Sequence, residues 1–156
     1  MPLDSVKTLF DSLKFSVHPQ PLTEAQVQAL EKQLGITFPP SYREFLLWMG
    51  QNKAGIELTS SWGPDDLSGM KAKILQAMKD MNFPEKLPDD AFVFWDNQDY
   101  AFAFLLLSKG DDSPVYRYHQ TLDPTTFGQT HASFADWLTE HIEAHVDKLR
   151  QLGQPY

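Results

Sequence analysis

Apolar positions recur at helical spacing through the first third of the chain, at alternating spacing through its middle, and at helical spacing again near its end. Val6, Leu9, Phe10 and Leu13 predict a helix over about Leu3 to Phe15, with Asp4 or Ser5 as its cap. His18-Pro19-Gln20-Pro21 then imposes an extended linker. Thr23 followed by Gln26 fits a capping box, and Val27, Leu30 and Leu34 form the stripe of a second helix, with Gly35 placed for a left-handed cap. Pro40 or Ser41 opens a third helix, whose stripe is Tyr42, Phe45, Leu46 and Met49 and whose stop is Gly50.

Ile56 and Leu58 alternate with Glu57 and Thr59, which predicts a strand within Gly55 to Ser60. Gly63 to Asp66 reads as a turn, with Asp65 or Asp66 capping a fourth helix lined by Leu67, Met70, Ile74, Ala77 or Met78, and Met81. Three strands are expected next: Phe92 to Trp95, Ala101 to Leu107 and Pro114 to Tyr118. Their connectors are short and polar, as in an antiparallel meander. On the third strand Val115 and Arg117 share one face, and Tyr116 and Tyr118 the other. Leu122 to Thr130 reads as loop. A final helix begins near His131 or Ser133 and buries Phe134, Trp137, Leu138, Ile142, Val146 and Leu149. The pattern is that of one α+β domain, residues 1–156, with a central antiparallel sheet of about four or more strands between N-terminal helices and a C-terminal helix.

Composition agrees. A chain of 156 residues with 42% hydrophobic and 13% aromatic residues can bury a sizeable core without staples. The absence of cysteine excludes disulfides, thiolate metal sites and cysteine nucleophiles, and fits a reducing compartment. No signal peptide and no apolar run of membrane-spanning length is expected, so the location expected is cytoplasmic. The formal net charge of −8 argues against direct nucleic-acid binding and favours cationic partners, although such a charge also serves solubility alone.

Two stretches carry a family resemblance. The first is Leu22 to Gly50, in which Leu34, Gly35, Phe38, Pro39, Tyr42, Phe45, Leu46 and Gly50 follow one another as a Leu-Gly helix end, a hydrophobic–Pro step and a Tyr…Phe-Leu helix closing in Gly. The second is Val93 to Leu105, followed by Pro114 to Tyr118. Together they resemble the SUKH superfamily of fungal cell-wall assembly regulators and bacterial toxin-immunity proteins. Where that family often has Gly-Gly, this chain has Gly50-Gln51. The resemblance implies a central antiparallel sheet flanked by helices. It also implies binding of a protein partner. Many bacterial members look like immunity proteins that neutralise a toxin, frequently a nuclease, and fungal members act as regulatory scaffolds.

Chemistry-bearing patterns are sparse. His141 and His145 are four apart on a helix and could share a metal, but the segment lacks the Glu directly after the first His that the zincin motif requires, and no third ligand has suitable spacing. No Gly-x-Ser-x-Gly elbow and no Gly-rich phosphate loop appears. No catalytic residue, metal or cofactor is therefore expected. From Asp65 to Asp123 there are eleven acids against six Lys and Arg. The candidate docking residues are Trp62, Asp89, Asp90, Trp95, Asp96, Asp99, Tyr100, Asp111, Asp112, Tyr116 and Tyr118. Such rings bury area and such carboxylates bind Arg or Lys, so the surface would suit a basic toxin. The alternative is that Trp95 and Tyr116 or Tyr118 belong to the core and the acids only solubilise turns.

Overall fold

A computed structural model of the chain describes residues 1–98, 100–119 and 123–156, and for 123–126 the backbone alone. Among the described residues there are five α-helices, α1 (Asp4–Leu13), α2 (Glu24–Leu34), α3 (Pro40–Met49), α4 (Met70–Asp80) and α5 (Phe134–Gln151). Four strands, β1 (Ala91–Asn97), β2 (Ala101–Leu106), β3 (Val115–His119) and β4 (Asp123–His131), lie side by side in chain order as an antiparallel meander. This is the α+β architecture expected, with helices before the sheet and one after it.

Local chemistry explains the helix ends. Thr23 Oγ1 accepts from Gln26 N at 3.2 Å while Gln26 Oε1 accepts from Thr23 N at 2.8 Å, so the capping box of α2 is complete. Gly35 closes that helix at φ 66°, a conformation that costs glycine nothing. The start of α3 is capped from outside: Ser41 N and Ser41 Oγ both donate to Asp111 Oδ1, at 2.9 and 2.7 Å.

Four expectations are corrected. Neither Asp4 nor Ser5 caps α1; the position before it is Leu3, without a side-chain cap, and Asp4 instead takes the terminal amine at 3.0 Å. Asp65 and Asp66 do not cap α4, which starts after Gly69; they lie in a 3-10 turn at Pro64–Asp66, where Asp66 Oδ2 accepts from Gly63 N. Residues 55–60 are not a strand: Ile56 is buried, Leu58 is 65% exposed, and Glu57 between them has φ 42°, which no strand tolerates. Finally, the segment read as loop is largely β4, because the outer edge of β3 supplies it with backbone partners that its polar sequence does not advertise.

Both faces of β1 and β2 are buried, which is why these two strands are apolar almost throughout. On one face Phe92, Phe94, Ala103, Leu105 and Val115 pack with α1, α3 and α5 into the larger core. On the other, Val93, Phe102, Phe104 and Tyr118 pack beneath Met70, Ile74 and Met78 of α4. A bulge between Val93 and Trp95 interrupts the alternation. It puts Phe94 and Trp95 on the larger-core side together and turns Asp96 toward α4. Without that extra residue Trp95 and Asp96 would exchange faces.

Two polar groups inside the helical layer are notable. Glu44 is buried and accepts from Leu3 N at 2.9 Å, with Lys7 Nζ 3.2 Å away, which ties α1 to α3. Tyr42 is buried as well, and its hydroxyl has no hydrogen-bond partner; burial pushes its ionisation far upward. Among the described residues, no helix is long and apolar enough to cross a membrane.

Candidate functional site

The eleven candidate docking residues do not gather on one surface. Trp62 is 1% exposed, between Phe45, stacked at 5.5 Å, and the His141 ring at 4.7 Å. Tyr118 is equally buried under α4, and Tyr116 is half-buried, stacked on Phe104 at 5.3 Å. Asp96 is buried, with Lys73 Nζ at 3.2 Å and a backbone bridge to Ser61. Trp95 is mostly buried, although one side of it reaches a cleft. The reason for these corrections is the second layer over the sheet: α4 covers the face on which Tyr116, Tyr118 and Asp96 would otherwise be open.

The remaining candidates lie at the two ends of the sheet, with every described acid at one of them. Asp89, Asp90, Asp111 and Asp112 lie where β1 begins and β2 ends, and Tyr100 lies in the β1–β2 hairpin at the opposite end. Asp99 falls outside the described residues. Asp90 accepts from Ser108 N and Oγ, and these bonds hold its carboxyl below the usual range; Asp111 is the cap of α3. Asp89 and Asp112 are exposed, and Tyr100 is 36% exposed.

Polar groups from distant segments converge elsewhere, in a cleft of about 400 Å³ between α5, the turn around Glu57 and the larger-core side of the sheet. Glu57 is its organising residue. Its carboxylate accepts from Ser60 Oγ and from Trp95 Nε1, the latter at 3.4 Å, and lies 2.9 Å from His141 Nε2. Its backbone N–H donates to His145 Nδ1 at 3.2 Å, and its carbonyl accepts from Trp62 Nε1 at 3.1 Å. The left-handed backbone at Glu57 is what lets one residue address all of these groups, and strain of that kind tends to sit at functional sites.

The electrostatics follow. Burial alone would raise the Glu57 carboxyl, but His141, Ser60 and Trp95 outweigh it and leave Glu57 below the ordinary range. His145 is pushed down, by burial first and then by His141, with Glu57 opposing and Lys148 adding to the fall. Because its Nδ1 accepts from Glu57 N–H, the proton of the neutral ring sits on Nε2. The two histidines thus both face Glu57, an acid 88 residues from His145 along the chain. Local spacing had paired the histidines; no local signal pointed to Glu57.

The walls of the cleft are the Trp95 and Trp137 indoles, with His141 stacked on Trp137 at 4.5 Å. Arg117 lies over the Trp95 ring at 5.2 Å, and His131 pairs with Glu140 at the rim. Glu140 also belongs to a stripe. Asp136, Glu140, Glu143 and Asp147 are all exposed, and their spacings of four, three and four residues place them along one face of α5, opposite Leu138, Ile142 and Val146. This is an acidic surface the sequence reading missed, because it sought acids in loops and treated the last helix only as core.

No curated protein matches the chain. The model of the SMI1 / KNR4 family (SUKH-1) matches residues 21–140, from just before α2 through the first two turns of α5, which includes the whole sheet and the Glu57 turn. The helix end at Gly35, the hydrophobic–Pro step before α3 and the antiparallel meander lie within that match, and the chain belongs to the SMI1 / KNR4 family (SUKH-1).

Proposed function

We propose that this domain works by binding another protein, not by catalysing a reaction, and that it is an immunity protein that neutralises a cognate toxin in the cytoplasm. A basic toxin, a nuclease domain above all, fits its charge. Family membership supports a protein-binding role of immunity or regulatory type. The observation that carries the reading is the run of four exposed carboxylates along α5, in a chain of net charge −8, beside a cleft walled by indole rings. Such a surface steers a cationic partner and gives Arg and Lys side chains charge-assisted acceptors. The Glu57 carboxylate in the cleft is occupied by Ser60, Trp95 and His141, which supports a structural part for it.

The test is co-purification with a toxin domain encoded beside this gene, followed by titration at rising salt. Specific binding is expected, weakening by about tenfold or more between about 0.05 and about 0.5 M salt as the charges are screened. Failure to bind any adjacent toxin-like protein, or binding indifferent to salt, would count against the reading. Recovery of a signalling or cell-wall partner with no toxin would move the assignment to the regulatory branch.

A further inference from the structure

The cleft carries two cationic side chains that its own carboxylates do not hold. Glu57 is taken by Ser60, Trp95 and His141, and Glu140 by His131. That leaves Arg117 and Lys148, both lining the cleft, and among the described residues neither has a carboxylate partner. Arg117 is also placed: its guanidinium carbon lies over the Trp95 ring, 5.2 Å from the ring centre, and its Nε is buried with no hydrogen-bond acceptor. A buried donor without an acceptor is rare and calls for one. A guanidinium offers a carboxylate bidentate, charge-assisted hydrogen bonds, and the indole beneath it limits where that group can sit. The apolar side of the cleft is supplied by Trp95, Trp137, Leu58 and Leu149, and about 400 Å³ suits a compact molecule.

From these observations we infer that the α5 cleft is a binding site for a small organic acid, one carboxylate on a flat apolar body, with Arg117 taking the carboxylate, Lys148 adding charge at the mouth and the indoles receiving the body. This goes beyond partner binding along α5 and does not depend on it, since no toxin is needed to observe it.

The experiment titrates the whole chain with phenylacetate, phenylacetamide and benzylamine, following the Trp95 and Trp137 indole N–H resonances. Phenylacetate should saturate below about 10 mM and shift both resonances, and the amide should bind about tenfold more weakly or not at all. Arg117→Gln should abolish phenylacetate binding. Lys148→Gln, an exposed change that leaves folding intact, should weaken it about threefold. Equal affinity for acid and amide, preference for benzylamine, absence of saturable binding, or unchanged binding by both variants would each overturn the assignment. Should Arg117→Gln fail to fold, the acid-to-amide ratio and Lys148→Gln still decide it.

Discussion

The acids at the start of β1 and the end of β2 and the polar groups around Glu57 are both dense in carboxylates, yet they spend them differently. At the sheet end, Asp90 holds Ser108 and Asp111 holds Ser41, so each carboxylate fixes the backbone of an adjoining turn or helix start. Around Glu57, groups from the 57–60 turn, β1, β3 and α5 meet at one cleft, and the neighbouring face of α5 displays four exposed carboxylates, of which Glu140 also pairs with His131. Acids that close local hydrogen bonds build the framework. Acids displayed on a rigid helix beside a cleft remain available to a partner.

The largest effect expected breaks the second region from below. Trp62 supports both the Glu57 carbonyl and the His141 ring from inside the core, so Trp62→Ala should cost about 4 kcal/mol in chemical denaturation and dismantle the cleft with it. A loss under about 1 kcal/mol would mean the cleft stands without its floor. In the first region, Asp111→Ala removes the outside cap of α3 and should cost about 1 kcal/mol, measured the same way. The partner affinity of Asp111→Ala should be unchanged if that acid serves only the framework.

Much of the fold was readable from local pattern, and the limits of the reading have physical causes. The capping box at Thr23, Gly35 and most of the apolar stripes of α2 to α5 are local signals that the structure keeps, although Met81 falls beyond the end of α4 and is exposed. The alternation of Ile56 and Leu58 imitated a strand, because two apolar residues cannot distinguish a pleat from a turn that Glu57 forces left-handed. The strand β4 was hidden because its partner, β3, and not its own composition, makes it a strand. The docking aromatics were misplaced because a strand covered on both faces buries alternate residues equally, and the bulge before Trp95 exchanged the faces of Trp95 and Asp96. The site itself depends on contacts between Glu57 and α5, a separation that no window along the sequence spans.

A smaller effect sharpens the comparison through pH. His145 has its folded-state pKa below the ordinary 6.5, so between that lower value and 6.5 the unfolded chain binds more protons. Its contribution to stability is complete above about pH 6.5 and is lost as pH falls through that window. Glu57 acts below 4.5, outside the window, since its folded-state pKa is depressed from there. His145→Gln should therefore flatten the stability profile on the acid side of neutrality, measured by denaturation at a series of pH values. An unchanged profile would remove His145 from the cleft's electrostatics.

The most direct test of the central claim is calorimetric titration of the adjacent toxin domain with three forms of this protein. The wild type is compared with a variant reversing Asp136, Glu140, Glu143 and Asp147 to Lys, and with one reversing Asp89 and Asp112. The account predicts that the α5 variant loses about a hundredfold or more in affinity while the loop variant stays within about threefold of wild type. Loss in the loop variant with the α5 variant unaffected would contradict it.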